Sequence, residues 1–304
     1  MKKILVTGAS GLFGLNFIHY LMEAQIFEVH ALLHNRTLLV DGVKTHFLKD
    51  ECISKLMRRI KPDIVVHAAG LTNVEKCESN KSLAIQSNVK FSAELGILCS
   101  EINATIVYIS TDHLWSDQVQ MKDENVTLNP MNNYGLTKGN GEREIEKACE
   151  QHFILRTNFF GWGPRYRQSF SDYIINSLQI GHRVQLYKDV FYTPIEISIL
   201  SELTVRLFSS DAYGIYNASG SSRISKYDFG LLIADAFNLP QQLIEPVLYN
   251  DMNYEVSRPN EMSLSNHKIC KELGIQKNSL SIDRSISNLL LGQQNFFIQD
   301  IRSL

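Results

Sequence analysis

Short apolar runs alternate with longer amphipathic segments through the first half of this 304-residue chain. The apolar runs are continuous, which is typical of strands covered on both faces of a parallel sheet. Alternating strands and helices indicate parallel strands joined by right-handed crossovers. We therefore predict an α/β fold with a doubly wound parallel sheet. The predicted strands are Ile4–Val6, Glu28–Leu33, His46–Leu48, Ile64–Ala68, Thr105–Ser110 and Phe153–Arg156.

The pattern changes after Gly161-Trp162-Gly163-Pro164, where glycine and proline predict a loop. Short strands and helices mix beyond it, so we place a domain boundary near residue 160. The predicted strands of this half are Val184–Tyr187, Gly214–Ala218 and Leu243–Leu248, and the predicted helices are Phe170–Ile180, Ile195–Ser209 and Lys226–Phe237. In the first half, Pro62 is expected to close a helix over Ile53–Lys61.

The first predicted strand breaks into a glycine-rich turn, Thr7-Gly8-Ala9-Ser10-Gly11-Leu12-Phe13-Gly14, before helically spaced apolar residues in Leu15–Met22. Strand, glycines and helix in that order form an anion site. Gly8 and Gly11 let the backbone approach a pyrophosphate, and the free amide groups of the helix face it. The spacing is G-x-x-G-x-x-G rather than G-x-G-x-x-G. In this context the turn predicts dinucleotide binding.

Charge and composition argue against several classes of partner. Lysine plus arginine number 30 against 32 aspartate plus glutamate, so no global field favours nucleic acid or an anionic membrane. Five scattered cysteines and nine histidines lack metal-binding spacing, so we expect reduced thiols and no metal. The chain starts with a charged pair and a core strand, and no apolar run could span a bilayer. We expect a cytoplasmic protein.

Tyr134 and Lys138 stand four residues apart in Asn-Asn-Tyr-Gly-Leu-Thr-Lys-Gly. If Tyr134 opens a helix, the phenol and the ammonium share one face, a single turn apart. A cationic neighbour favours the ionised phenol, so Tyr134 is expected to exchange a proton near neutral pH. Taken alone, the same pair is also typical of a packed ring beside a solvated charge. Together with the glycine turn, it predicts an enzyme that transfers a hydride.

These segments resemble the extended short-chain dehydrogenase/reductase family, through the glycine turn, Ile109-Ser110-Thr111-Asp112 and Tyr134-Gly135-Leu136-Thr137-Lys138. Further matches make the chain similar to dTDP-4-dehydrorhamnose reductases, which reduce the 4-keto group of a nucleotide-linked 6-deoxysugar. The resemblance covers nearly the whole chain. These matches are His67–Glu78, Ile154–Asn158, Tyr192-Thr193-Pro194 and Ser257-Arg258-Pro259, with Ser263-Leu264 behind it.

The resemblance implies a Rossmann-type NAD(P)-binding domain over 1–160 and a smaller α/β domain, mainly for substrate, over 161–304. In such enzymes later segments, here about 185–215, return to the first domain. The resemblance also implies reactive roles. Tyr134 acts as general acid in reduction, and Lys138 holds the nicotinamide ribose and lowers the phenol pKa. Thr111 positions the carbonyl oxygen, where a hydroxyl donor stabilises developing charge.

Residues that end the strands of a doubly wound sheet should line one crevice, where a cofactor binds. Ala68 and Ala69 let a cofactor lie close to the backbone, or merely pack a helix. Asn88 matches a family asparagine near the active centre, but a helix cap or buried hydrogen-bond bridge fits it as well. The predicted cofactor contacts are Gly8, Ser10, Gly11, Leu12, Phe13, Gly14, Asn35, Arg36, Asp50, Ala68, Ala69, Gly70, Asn88, Ser110, Tyr134 and Lys138.

The end of the second predicted strand discriminates between cofactors. An acidic residue there would bind the adenosine ribose hydroxyls, whereas Arg36 can pair with a 2′-phosphate. The chain offers His34, Asn35 and Arg36, with no carboxylate before Asp41. We predict NADPH, with NADH as the alternative. Asp50 is an adenine contact by family analogy, or an exposed loop aspartate.

The predicted substrate contacts depart from the family pattern in two places. His113-Leu114-Trp115 replaces the usual Tyr-Val-Phe, and Asn158–Gly161 replaces Ser-Trp-Val-Tyr. Both put the identity of the sugar in doubt, not the hydride chemistry. Arg258 is expected to clamp a diphosphate, the alternative being a structural salt bridge. The full set is Thr72, Thr111, Asp112, His113, Trp115, Asn158, Phe159, Thr193 and Arg258.

The motifs leave three readings. The first is an NADPH-dependent reductase of a nucleotide-activated 4-keto-6-deoxysugar that serves surface polysaccharide synthesis. The second is a nucleotide-sugar epimerase with tightly bound NAD(P); a dehydratase is disfavoured because His113, not Glu, follows Asp112. The third is a non-catalytic NADP-binding regulatory subunit. The expected ligand is a nucleotide sugar, with no nucleic acid or membrane partner, and a homodimer stays open.

Overall fold

The computed structural model describes residues 1–38, 40–116, 118–252 and 254–293. Within these residues the chain forms thirteen strands, most of them short. They are β1 (Lys2–Thr7), β2 (Phe27–Leu33), β3 (Lys44–Phe47), β4 (Ile64–His67), β5 (Thr105–Ile109), β6 (His152–Arg156), β7 (Phe159–Phe160), β8 (Val184–Tyr187), β9 (Phe191–Tyr192), β10 (Ile195–Glu196), β11 (Gly214–Asn217), β12 (Ile224–Ser225) and β13 (Ile244–Val247).

Eleven α-helices accompany the strands in the described residues, and a single π-helical turn over Gln86–Lys90 leads into the fifth. None of these helices combines the length and apolarity that crossing a membrane requires. They are α1 (Leu12–Ala24), α2 (Ile53–Ile60), α3 (Val74–Ser79), α4 (Lys81–Ile85), α5 (Phe91–Ile102), α6 (Asn133–Ala148), α7 (Phe170–Gln179), α8 (Ile197–Leu207), α9 (Lys226–Ala236), α10 (His267–Glu272) and α11 (Ile282–Gln293).

Seven strands form one parallel sheet in the order β11-β6-β5-β4-β1-β2-β3. The predicted fold class is confirmed, because this is the strand order of a doubly wound Rossmann-type sheet with one added edge strand. The order reverses between β1 and β4, so their following loops diverge and open a crevice at the carboxyl edge. The glycine turn and Ala68-Ala69-Gly70 bound that crevice.

Two apolar layers cover the sheet. Ile4 and Val6 of β1 belong to the larger core, which includes buried residues of α1 and α8, while Leu5 belongs to a second core with α2 and α5. Successive side chains of a strand point to opposite faces, so a strand buried on both sides must be apolar throughout. This is why the continuous apolar runs predicted the strands well.

The chain after residue 160 does not form a separate layer. Strand β11 extends the central sheet beside β6, and three two-stranded ladders, β7 with β10, β9 with β12 and β8 with β13, lie outside it. The indole of Trp162 donates to the Leu289 carbonyl at 2.8 Å and its own carbonyl accepts from Asn16 at 2.9 Å. The boundary near 160, with return of residues 185–215, stays a prediction.

Two of the stretches that differ from the sequence prediction lie before α8 and between β4 and β5. The expected helix over Ile195–Ser209 begins at Ile197, after the two residues of β10, because the Glu196 carboxylate caps it by accepting from the Ser198 amide at 2.8 Å. No element was predicted between β4 and β5, where α3, α4 and α5 lie. Helices α3 and α4 are too short for a helical period to be recognised, and Asn73 and Asn80 cap them.

His67, the last residue of β4, makes stability depend on pH. Its ring is fully buried, with Nδ1 2.8 Å from the Thr7 hydroxyl and Nε2 3.0 Å from the Ser92 hydroxyl. Burial lowers the pKa of His67 to about 3. The unfolded chain therefore takes up a proton below about pH 6.5 while the folded ring stays neutral, so stability is present above that pH and is lost as pH falls.

We expect a His67→Gln variant to unfold more readily at pH 7 but with a flatter pH dependence between pH 6 and 4. Removing one such proton lowers the slope by about 1.4 kcal/mol per pH unit. Urea unfolding midpoints at several pH values measure this slope. A slope equal to that of the unaltered protein contradicts the assignment.

Candidate active site

The glycine turn between β1 and α1 is held tightly by its surroundings. Gly8 has φ +66°, and a Cβ added there would lie 2.6 Å from the Ala69 amide nitrogen. A Cβ added at Gly14 would lie 2.3 Å from the Gly8 carbonyl oxygen. At Gly11 the nearest atom is the Gly8 oxygen at 3.0 Å, and Gly11 caps α1 without a side-chain bond. The first amides of α1 are thus left for an anion, which fits a dinucleotide pyrophosphate.

The residues in and around this turn make distinct contacts with the rest of the fold. The Ser10 carbonyl accepts from the Tyr166 hydroxyl at 2.9 Å. The Phe13 ring is buried, stacks on Phe17 at a centroid distance of 5.3 Å and packs against Phe159 at 5.7 Å. Of Phe13, therefore, the backbone amide is the part that can face a ligand. Phe159, predicted as a substrate contact, packs under the glycine turn.

Arg36 lies three residues after the end of β2. This is where we predicted the residue that selects between NADPH and NADH. Its guanidinium carbon is 3.9 Å from the centroid of the Tyr166 ring, while Asn35 next to it is exposed. Because Tyr166 also bonds to Ser10, it links the Arg36 guanidinium to the glycine turn. Arg167 in turn donates to the Thr72 hydroxyl at 2.5 Å. The loop over 164–168 therefore crosses the crevice.

Three other predicted cofactor contacts lie in the loops after β3 and β4. Asp50 is exposed in a turn, where its amide donates to the Phe47 carbonyl at 3.0 Å. Ala68 and Ala69 donate from their amides to the Thr7 carbonyl and hydroxyl, at 3.3 and 3.2 Å. These bonds fix the loop after β4 to the end of β1, so small side chains there serve the backbone contact.

Asn88 is a buried hydrogen-bond bridge. Its side-chain oxygen accepts from the Leu71 amide at 2.7 Å, and its amide donates to the Leu71 carbonyl and the Thr137 hydroxyl, both at 3.0 Å. A Cβ added at Gly70 would lie 2.8 Å from the Asn88 oxygen. Asn88 thus ties the loop after β4 to helix α6, which carries the proposed reactive pair.

Helix α6 places Tyr134 in its first turn. Asn132 caps the helix by accepting from the Gly135 amide at 2.9 Å, and the Asn133 side chain donates to Glu78 at 2.7 Å. The Thr111 side chain lies close enough to the Tyr134 phenol to lower its pKa, and the Tyr134 ring lies 5.4 Å from that of His113, two residues after Thr111. Lys138 follows one turn later, where its ammonium donates to the Ile109 carbonyl at 2.7 Å. All three predicted reactive residues therefore meet at the end of β5.

The predicted lowering of the Tyr134 pKa by Lys138 stays a prediction, because the ammonium of Lys138 is directed elsewhere in the structure. Burial raises the pKa of Tyr134 to about 12, and the neighbouring Thr111 side chain offsets this only in part. The Lys138 ammonium points to the Ile109 carbonyl and lies 3.9 Å over the Tyr108 ring, and burial lowers the pKa of Lys138 to about 7. The phenol is therefore protonated at neutral pH, which is the form that donates a proton.

Ser110, predicted as a cofactor contact, faces the interior instead. Its hydroxyl donates to Glu142 at 2.5 Å, and Glu142 accepts from the Arg156 guanidinium at 2.8, 3.1 and 3.2 Å. Both charged side chains are at most 3% exposed. This buried pair joins β5, α6 and β6 directly behind Thr111 and Lys138.

Asp112 and His113 line the crevice next to Thr111. Asp112 is 2% exposed and accepts from the Asn158 amide at 2.6 Å, and burial raises the pKa of Asp112 to about 6. The His113 ring lies edge-on to Tyr134 at a centroid distance of 5.4 Å. Burial lowers the pKa of His113 to about 3, and its Nδ1 is buried without a partner in the described structure. His113 is a neutral group available to a ligand.

Three predicted substrate contacts are placed differently from expectation. Trp115 is fully buried in a small cluster with Leu114 and Leu264, so its indole cannot reach a substrate. The Thr193 hydroxyl is buried and accepts from the Leu264 amide at 3.1 Å. Arg258 pairs with Glu75, which is the salt bridge kept as the alternative, although its side chain remains 29% exposed. Burial of Trp115 follows from the apolar neighbours that a motif comparison does not reveal.

Sequence reasoning did not propose four residues that contact or influence predicted site residues: Tyr166, Arg167, Tyr192 and Lys226. The first two belong to a Pro-Arg-Tyr-Arg loop whose basic and aromatic composition was the available signal. Lys226 lies over the Tyr192 ring, 4.3 Å from its centroid. No group of three or more His, Cys, Asp or Glu side chains in the described ranges is arranged to hold a metal ion.

Comparison with known proteins agrees with this architecture. The family model described as RmlD substrate binding domain matches residues 1–287. The probable low-salt glycan biosynthesis reductase Agl14 of Haloferax volcanii is 26% identical over 91% of this chain and 94% of its own. Methionine adenosyltransferase 2 subunit beta of Danio rerio is 25% identical over 95% of this chain and 90% of its own.

Among solved structures, the dTDP-4-dehydrorhamnose reductase of Bacillus anthracis in complex with NADP superimposes with a TM-score of 0.82 at 22% identity. The superposition covers 96% of this chain and 99% of the other. At this identity the likeness establishes the shared fold.

Proposed function

The chain belongs to the RmlD substrate binding domain family, and on that premise we propose that it is an NADPH-dependent reductase of a sugar nucleotide. The substrate is a nucleotide-activated 4-keto-6-deoxyhexose, and the product serves surface polysaccharide synthesis. One observation carries the proposal. The Tyr134 phenol, whose pKa burial raises to about 12, lies at the end of β5 beside His113, and the glycine turn follows β1 at the same carboxyl edge of the sheet.

The residues of the chain supply the acid chemistry and the binding geometry. The bound nicotinamide supplies the hydride. The Tyr134 phenol donates a proton to the sugar oxygen as negative charge develops on it, and the Thr111 hydroxyl stabilises that charge by hydrogen bonding. Lys138 holds the ribose hydroxyls of the cofactor. Because Ile109 already orients its ammonium, Lys138 needs little further ordering when the cofactor binds.

The proposed preference for NADPH rests on Arg36. A guanidinium held flat against the Tyr166 ring presents its edge to a phosphate, and a planar fork suits bidentate phosphate binding. The NADP bound to the Bacillus anthracis reductase supports the same choice. NADH remains usable because the glycine turn binds the pyrophosphate that both cofactors share.

We expect an Arg36→Ala variant to lose about 10- to 100-fold in kcat/KM with NADPH and little with NADH, since one charge-assisted contact is removed. A Tyr166→Leu variant should lose less with NADPH, because it keeps the guanidinium and removes the aromatic face that holds it, together with the hydroxyl bond to Ser10. Arg183, exposed directly before β8, offers a matched control as Arg183→Ala. If Arg36→Ala retains the NADPH preference of the unaltered enzyme, Arg36 does not select the cofactor.

Two other functions are distinguishable. Similarity to methionine adenosyltransferase 2 subunit beta supports a non-catalytic subunit as second candidate, although Thr111, Tyr134 and Lys138 are all present. An epimerase with tightly held cofactor would turn over its sugar without added nicotinamide. Mixing purified protein and NADPH with a panel of nucleotide-linked 4-ketosugars separates the three. The reductase consumes NADPH with at least one sugar, the epimerase converts sugar without consuming it, and the subunit does neither.

A further inference from the structure

Lys226 occupies an unfavourable position for a lysine. It is the first residue of α9, where the helix dipole repels a cation, and burial lowers the pKa of Lys226 to about 8. Its ammonium lies 4.3 Å from the centroid of the Tyr192 ring and 4.5 Å from that of Phe170. Within the described residues the ammonium makes no hydrogen bond. Its three donors are therefore available to a ligand, at a cost to the fold.

The hydroxyl of Tyr192, next to Lys226, is a second group whose burial destabilises the folded state. The side chain is 2% exposed, and its hydroxyl is buried without a hydrogen-bond partner in the described part of the chain. A buried, unpaired hydroxyl destabilises the folded state, and phenylalanine would avoid that cost. An oxygen retained at such a position indicates that something outside the free chain pairs with it.

Asp112 is linked through Asn158 to the chain segment that carries Tyr192. The Asn158 carbonyl accepts from the Ile195 amide at 3.1 Å, three residues after Tyr192, and no direct ion pair joins Asp112 to Lys226 in the described structure. One carboxylate oxygen is bonded by Asn158, and the other is 3.5 Å from the Thr111 hydroxyl. The Asp112 acceptor therefore lies beside Thr111 and near the chain segment of Tyr192, over whose ring the Lys226 ammonium lies.

We propose that Lys226, Tyr192 and Asp112 form a subsite for a sugar hydroxyl adjacent to the reacting carbonyl. This rests on the proposed reductase function and names which 4-ketosugar the enzyme selects. A sugar hydroxyl suits these two groups because it can donate to the Asp112 carboxylate while it accepts from the Lys226 ammonium. A carboxylate fits poorly, since Asp112 repels it. We place this hydroxyl on the carbon next to the carbonyl because Asp112 directly follows Thr111, which lies beside the proposed proton donor, Tyr134.

The test compares two dTDP-linked 4-keto-6-deoxyhexoses, one with its C3 hydroxyl intact and one matched 3-deoxy sugar. We expect the unaltered enzyme to favour the hydroxylated sugar by about 100-fold or more in kcat/KM, because the deoxy sugar leaves buried polar groups unpaired. Lys226→Met should reduce that ratio to about 10-fold or less, Lys226→Arg should retain most of it, and Lys271→Met, at an exposed position of α10, should leave it unchanged.

Tyr192→Phe keeps the inference testable if Lys226→Met fails to fold. We expect this variant to keep or raise its melting temperature while losing about 10-fold in the preference for the hydroxylated sugar. A purely structural tyrosine would give the opposite pattern, with a lower melting temperature and an unchanged preference.

The outcomes separate the two proposals. Equal use of both sugars by the unaltered enzyme, or a preference that survives Lys226→Met, overturns the hydroxyl subsite and leaves the reductase function standing. Absence of NADPH consumption with either sugar overturns the reductase function itself.

Discussion

A Tyr134→Phe variant should lose about 100- to 10,000-fold in kcat while it binds NADPH as tightly as the unaltered enzyme. The substitution removes the phenol oxygen that we propose as the proton donor, and leaves the ring against His113. In the proposed site, cofactor affinity comes mainly from the glycine turn, Arg36 and Lys138, which the change does not touch. Steady-state kinetics gives kcat, and NADPH fluorescence titration gives the affinity.

Tyr173 provides the control for this variant, because its side chain is 45% exposed on α7, away from the proposed donor. Tyr173→Phe should keep both kcat and affinity. A Tyr134→Phe enzyme with undiminished kcat would mean that another group donates the proton, and the assignment of the phenol would be wrong. A loss of NADPH affinity equal to the loss of kcat would indicate a binding role instead.

An Arg156→Met variant should destabilise the fold by about 3–5 kcal/mol, because it leaves the buried Glu142 carboxylate without its cation. Glu142 accepts three guanidinium hydrogen bonds and one from Ser110, and it is 1% exposed. Moving a lone carboxylate into this interior is expensive in free energy. Urea unfolding followed by circular dichroism measures the difference.

The double variant Arg156→Met with Glu142→Leu tests whether the unpaired Glu142 charge causes the loss of stability in the single variant. Replacing both charges by apolar groups should restore most of the stability that the single variant loses. An exposed pair on the same fold, Arg206 with Glu202 on α8, serves as control, and Arg206→Met should change stability by less than about 1 kcal/mol. If Arg156→Met is as mild as that control, the buried pair does not stabilise the region behind Lys138.

The sheet was predictable because its strands are buried on both faces. Ile64–His67 and Thr105–Ile109 carry runs of apolar residues that only such a position accommodates, and the glycine turn fixed the first crossover. The short ladders of the second half were less predictable. Strand β10 has two residues, and a two-residue strand followed at once by a helix leaves no period to recognise.

The site was predictable where spacing decides geometry, and less so where packing decides it. Tyr134 and Lys138 share a helix face because four residues make about one turn. The direction of each polar atom depends on tertiary contacts: the Ile109 carbonyl turns the Lys138 ammonium, and the core encloses Trp115. Lys226 was not proposed because its importance comes from Asp112, more than one hundred residues earlier in the chain.

The most direct measurement follows the hydride itself. The purified enzyme is incubated with NADPH that carries deuterium at both C4 positions of the nicotinamide and with a dTDP-linked 4-keto-6-deoxyhexose, and the sugar product is analysed by mass spectrometry. We predict one deuterium on the sugar carbon that was the carbonyl, with one NADPH consumed for each product formed. A product without deuterium, or full NADPH recovery with every 4-ketosugar supplied, would contradict the assignment as a reductase.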